Sequence, residues 1–136
     1  MDFVTIRAGD GCSSAVGKWG GKQLLTLDND CFSDKIIAHE LIHALGFWHE
    51  QNRPDRDQYV TIQEEFIKQD KVHNFVKRKN TITFGLPYDG LSMMHYQSYY
   101  FSIDENDPTK KTILSKAKRL TFLFTKNVVV SKECSI

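Results

Sequence analysis

Apolar and polar side chains alternate over Phe3-Val4-Thr5-Ile6-Arg7-Ala8, with β-branched residues among them, which is the period-two pattern of a strand. Gly9-Asp10-Gly11 signals a turn, residues 13–18 a short second strand, and Gly20-Gly21 another turn. A third strand is expected over residues 23–27, closed by Asp28-Asn29-Asp30. The period then lengthens. Ile36, Ile37, Leu41, Ala44 and Leu45 fit a helix capped by Ser33 or Asp34 and buried over most of its circumference. Ile62, Phe66, Ile67, Phe75 and Val76 predict a second helix across residues 61–79. Between the two, Glu50-Gln51-Asn52-Arg53-Pro54-Asp55-Arg56-Asp57 carries both signs of charge, as either a solvated surface or an ordered ion-pair network. Residues 85–90 and 104–111 read as loops around an aromatic, Met-rich stretch at 91–101. Residues 120–134 suggest a closing helix, although Val128-Val129-Val130 favours a strand.

Chemistry enters with His39-Glu40-Leu41-Ile42-His43-Ala44-Leu45-Gly46-Phe47-Trp48-His49, an HExxHxxGxxH pattern. Residues four apart on a helix lie about 40° apart around its axis and about 6 Å apart along it, so His39 and His43 can aim at one point. Glu40 sits one residue further round, where it can reach a water held on a metal and act as general base. Gly46 is the residue best able to leave the helix in a left-handed conformation, which lets His49 approach from another direction. Three neutral nitrogen donors leave a fourth position open on tetrahedral zinc, the arrangement of a catalytic site. A histidine pair on an amphipathic helix is ordinarily surface or core. The added glycine and third histidine make coincidence a poor explanation.

Composition narrows the setting. The 136 residues make one domain, 1–136, without repeats or low-complexity linkers. A net charge of +1 gives no reason to expect a nucleic-acid or membrane partner, and no apolar run is long enough to span a bilayer. Met1-Asp2-Phe3-Val4-Thr5 has no basic region followed by an apolar stretch, so it does not read as a signal peptide. Cys12, Cys31 and Cys134 form no metal-type pair. Cys12 and Cys31 flank the expected hairpin and can be either bridged or two buried thiols.

Downstream, Ser92-Met93-Met94-His95-Tyr96 places a methionine pair beside aromatics. On composition such a pair is core packing. After an HExxHxxGxxH helix it also fits a methionine-containing turn below a metal. With these motifs the chain resembles the astacin family of zinc metalloendopeptidases, a branch of the metzincins. The likeness extends to Glu50, Arg53, Asp55-Arg56-Asp57-Gln58-Tyr59-Val60, Gly11-Cys12, Val16-Gly17, Cys31 and Leu120-Thr121-Phe122-Leu123.

The resemblance implies an α+β, zincin-like catalytic domain: a partial mixed sheet over an active-site helix, then a mostly irregular C-terminal lobe. It implies one zinc ion per chain on His39, His43 and His49, with Glu40 as the base. Tyr96 would be an additional ligand that swings off the metal to hydrogen-bond the oxyanion, and Met94 the packing methionine of the turn. Cys12, Ser13, Ser14, Ala15, Val16 and Gly17 would form the edge strand that pairs with an extended peptide, and Cys12 and Cys31 a disulfide. His73 is expected at the surface and His95 in the turn, neither as a ligand. A secreted, monomeric enzyme acting on peptide or protein substrates follows.

The chain departs from the family in several places. Family domains carry further strands and a helix before Phe3, so the expectation is an N-terminally truncated domain with an uncovered sheet edge and Cys134 unpaired. Glu50, which in the family meets a mature amino terminus, would lack that partner. The segment between Phe101 and Leu120 looks short, Phe124 stands for an aspartate, Lys132 for an aromatic, and Ser13 and Ala15 for edge-strand aromatics. Two functions therefore compete: a zinc endopeptidase, and a weak or inactive zinc-binding fragment serving as an interaction module.

Overall fold

The computed structural model describes residues 1–116; the expected closing element at 120–134, with Phe124, Lys132 and Cys134, lies outside the described residues. Two compact units meet in the sequence between Trp48 and His49, and each is described by itself.

The first unit is a mixed sheet with one helix. β1 (Phe3–Ala8) runs parallel to β3 (Lys22–Leu27) with Phe3 opposite Lys22 and Ala8 opposite Leu27. β2 (Ser13–Ser14) lies antiparallel on the other side of β3, giving the order β1-β3-β2. As the central strand, β3 buries Leu25, Thr26 and Leu27, whereas Phe3, Val4 and Ile6 of the edge strand β1 are exposed. Leu25 and Leu27 project from one face, as period two requires, and pack with Cys12, Cys31, Ile36 and Ile37. Burying each leucine contributes about 2 kcal/mol.

Cys12 and Cys31 are disulfide-bonded, which resolves the two options for that pair. The second strand is shorter than expected. After Ser14 the chain leaves the sheet, and Gly17, at φ 78°, donates its N–H to the His43 carbonyl at 2.8 Å.

α1 (Asp34–Ala44) begins where Ser33, in extended conformation, accepts a hydrogen bond from the Ile36 N–H. It lies against β2 and β3, with Ile36 and Ile37 in the cluster of Leu25 and Leu27, and its buried residues Ile36, Glu40 and His43 follow an i, i+4, i+7 stripe. The expectation of a mostly buried helix is corrected. Leu41 and Leu45 are 41% and 76% exposed, because the sheet covers one face of the helix only.

The second unit is mostly irregular. β4 (Val60–Ile62) pairs antiparallel with β5 (Ile113–Ser115), and 3-10 turns cover Glu50–Asn52, Arg56–Gln58, Glu64–Phe66 and Gln69–Phe75. No α-helix spans 61–79. Gln63 donates to the Thr112 carbonyl, Ile67 bridges Ser102, and Lys68 donates to the Phe101 carbonyl. Those partners, distant in sequence, take the amides that an α-helix would have used, and apolar spacing within the window contains no trace of them. Val60, Ile67, Phe75, Tyr88, Tyr96, Phe101 and Ile113 form the core. Its rings meet edge-on at Phe75–Tyr96 and Tyr96–Phe101 and stack at Tyr59–Tyr88, the offset geometries that ring quadrupoles favour. No helix among the described residues is long and apolar enough to cross a membrane.

Candidate metal centre

α1 ends at Ala44, and Gly46 takes φ 107°, a left-handed conformation that a side chain would strain. Its N–H caps the His43 carbonyl at 2.8 Å. The chain then turns, His49 adopts an extended backbone, and the 3-10 turn Glu50–Asn52 follows.

One ligand atom from each of His39, His43 and His49 lies within 4.8 Å of the other two. Nitrogens around tetrahedral zinc stand about 3.4 Å apart at the usual bond lengths, so the trio is close enough to share one ion. His43 and His49 are buried, and His39 is partly exposed. His43 Nδ1 lies 2.7 Å from the Phe47 carbonyl oxygen. A carbonyl can only accept, so Nδ1 carries the proton and the neutral ring keeps its lone pair on Nε2 for a metal. Burial pushes the His43 pKa down to about 4, against the raising effect of the Phe47 carbonyl and with a smaller lowering from His39. The ring is therefore neutral at pH 7, as a ligand must be. Donor type and number, and the neutral state of His43, fit zinc.

Glu40 is fully buried on the helical stripe it shares with His43. In the second unit the Tyr96 ring lies 4.5 Å from the His49 ring, centroid to centroid, packed among Phe75, Tyr100 and Phe101. Met94 is buried; its N–H donates to Ser92 Oγ at 3.1 Å and its carbonyl accepts the Glu50 N–H at 2.8 Å. Of residues 12–17, only Ser13 and Ser14 belong to a strand, at the edge of the sheet order, with Cys12 and Ser14 buried and Ala15, Val16 and Gly17 half-buried. His73 is exposed. His95 is buried, with one ring nitrogen 2.5 Å from the Tyr88 hydroxyl and the other 2.6 Å from the Tyr96 carbonyl. Burial holds its pKa below the ordinary histidine value.

The charged run after His49 is an ordered network. Arg53 grips both oxygens of Asp55 at 2.9 and 2.8 Å, Glu50 Oε1 at 3.0 Å, and the carbonyls of Leu86 and Pro87. Buried Arg56 donates to the carbonyls of Gln51 and Phe75 and to Asp57. Glu50 Oε1 also accepts the Asp89 N–H at 2.8 Å.

Two residues here escaped the sequence reading. Gln51, fully buried, accepts the Tyr96 N–H on its side-chain oxygen at 3.0 Å. Tyr88 stacks on Tyr59 and lies under the Arg53 guanidinium. Gln51 carried no signal beyond its place in a charged run. Tyr88 could have been suspected only as an aromatic next to the Met-rich segment.

The sequence matches the model of the Astacin peptidase family over residues 1–132. Among curated relatives, zinc metalloproteinase nas-14 of Caenorhabditis elegans is 53% identical over 107 residues, 75% of this chain and 21% of that protein. Embryonic protein UVS.2 of Xenopus laevis is 42% identical over 142 residues, covering 100% of this chain and 27% of the relative. The solved structure of high choriolytic enzyme 1, a hatching enzyme zinc-protease from the medaka Oryzias latipes, superimposes with a TM-score of 0.79 at 41% identity. That likeness covers 85% of this chain and 56% of the enzyme, so this chain spans about a quarter of these curated relatives and about half of the solved structure. The mixed sheet, single long helix and irregular second unit are thus an α+β, zincin-like arrangement, and the chain belongs to the astacin family of zinc metalloproteinases.

Proposed function

We propose that this chain is the metal-bearing part of an endopeptidase that hydrolyses peptide bonds in extended polypeptide segments. One observation carries the reading: one ligand atom from each of three histidines converges within 4.8 Å, with a buried carboxylate directly after the first. His39, His43 and His49 would hold a single zinc ion, which would supply Lewis acidity and make water more acidic near neutral pH.

Glu40 takes a proton from the attacking water as the carbon–oxygen bond forms, and delivers it to the departing amine as the carbon–nitrogen bond breaks. The Tyr96 phenol, un-ionised, donates a hydrogen bond to the developing oxyanion, the charge whose stabilisation commonly matters most. Its ring position beside His49 supports that role. Main-chain groups from Cys12, Ser13, Ser14, Ala15, Val16 and Gly17 pair antiparallel with substrate, since β2 ends the sheet order and strand addition reads little sequence. Met94 is a packing residue. The Cys12–Cys31 bridge supports an oxidising, extracellular setting. The partner is a peptide or protein substrate of a monomeric enzyme.

Turnover of an internally quenched peptide, abolished by a chelator, restored by zinc and lost in Glu40→Ala, is the expected result. A chain that binds zinc with no turnover, or whose Glu40→Ala variant retains full activity, overturns the reading; the first outcome leaves a zinc-binding interaction module.

A further inference from the structure

Tyr96 is held by its backbone at both ends. Its N–H donates to Gln51 Oε1 at 3.0 Å, and its carbonyl lies 2.6 Å from His95 Nδ1. The carbonyl is an acceptor only, so Nδ1 must be the donor. In the neutral ring Nε2 is then an acceptor, and the group that faces it, 2.5 Å away, is the Tyr88 hydroxyl. The chain of donation therefore runs one way, from Tyr88 O–H to His95 Nε2 and from His95 Nδ1–H to the Tyr96 carbonyl. Removing the Tyr88 hydroxyl releases the ring's tautomer and with it the second hold on Tyr96.

Tyr88 is itself fixed on several sides. Its ring lies parallel to Tyr59 at 4.8 Å between centroids, with the Arg53 guanidinium 5.5 Å from its centroid. Arg53 donates to the carbonyls of Leu86 and Pro87, just before Tyr88, and Glu50 Oε1 accepts the N–H of Asp89, just after it. The hydroxyl needs none of these contacts. Its bond to His95 is a polar interaction that no purely packing role requires.

We propose that Tyr88 is a positioning residue for Tyr96, acting through the His95 ring. The idea rests on the reading of Tyr96 as the oxyanion donor given above. A donor must sit within a few tenths of an ångström of the developing charge to be effective, and loosening its anchor lowers turnover without touching ground-state binding.

Tyr88→Phe keeps the ring, the stacking and the guanidinium contact and removes only the hydroxyl. In the full chain with zinc, the expected effect is a fall in kcat of about tenfold with KM within about twofold. In a Tyr96→Phe background the same substitution has no further effect. An equal fall in both backgrounds overturns the proposal, because Tyr88 would then act through general stability. Failure of the underlying reading looks different: wild type is inactive, or Tyr96→Phe costs nothing.

The hydrogen-bond chain has its own readout, independent of turnover. Long-range ¹H–¹⁵N spectra of the His95 ring should show a single Nδ1–H tautomer in wild type and a mixture in Tyr88→Phe. An Nε2–H tautomer in wild type, or spectra unchanged by the substitution, overturns the proposal.

Discussion

His43 donates its Nδ1 proton to the carbonyl of Phe47, four residues further on, at 2.7 Å. Helical backbone would have turned that carbonyl along the axis to meet an amide of its own. It reaches the imidazole because the chain leaves the helix at Gly46. One glycine thus serves two purposes: it frees the route to His49 and supplies the acceptor that fixes the tautomer of His43.

Gly46→Ala places a Cβ at φ 107°, which costs about 1–2 kcal/mol in backbone strain although no neighbouring atom crowds the site. Relaxing that strain moves the Phe47 carbonyl, and losing a partner that orients a ligating imidazole weakens metal affinity about 10- to 100-fold. Zinc competition against a fluorescent chelator, alongside a urea midpoint, measures both effects. A variant with wild-type affinity and midpoint would show that the turn does not set the ligand.

The helix that carries His39 and His43 was legible because its determinants are local. The cap at Ser33, the stripe Ile36–Glu40–His43 and the exit at Gly46 all lie within about four turns of chain. β1 and β3 were legible for the same reason, since alternation is written into each strand. The second unit was not. Its apolar residues at Ile62, Phe66 and Ile67 serve strand, turn and bridge positions because Ile113, Thr112 and Ser102 supply the backbone partners. The ion-pair network was open from sequence alone. Whether Arg53 met Asp55 or water depended on the carbonyls of Leu86 and Pro87, far along the chain.

That network has an acid limit. The hydrogen bond from Arg53 is the main cause holding Asp55 below the ordinary carboxylate value of 3.8, and the Lys77 ammonium does the same for Asp57, in each case against desolvation. Groups depressed on folding contribute stability that is fully present above the unfolded pKa, near 4, and that is lost as pH falls through the folded value. Urea midpoints should therefore be flat in this respect above about pH 5 and decline as the medium is acidified below the unfolded carboxylate range. Arg53→Met should have a lower midpoint at about pH 6 and a shallower acid decline. An unchanged slope in the variant would remove Asp55 from the account.

The Cys12–Cys31 bridge closes a loop with a sequence separation of 19, in the core of the first unit. Chain-entropy arguments assign a loop of that size about 3 kcal/mol. The paired Cys12→Ser, Cys31→Ser variant should lose about that much, and wild type in strong reductant should match it. Comparable midpoints with and without reductant would mean that burial of Leu25, Leu27 and Ile36 alone holds the unit together.

Gln51 offers the sharpest separation between packing and polar anchoring. Its side chain is fully buried, its oxygen accepts the Tyr96 N–H, and its Nε2 makes no hydrogen bond among the described residues. Gln51→Met conserves volume and removes the acceptor, leaving a buried amide without its partner at a cost of about 1–3 kcal/mol. Gln51→Glu keeps an acceptor but buries a charge, and should destabilise more. Ranking the three midpoints as wild type, then Met, then Glu is the expected result. If Met equals wild type, the Gln51 oxygen adds nothing to holding Tyr96, and the hydrogen bond at the Tyr96 carbonyl is the hold that counts. In that case the Tyr88→Phe effect on kcat should grow, because no second hold remains to share the load.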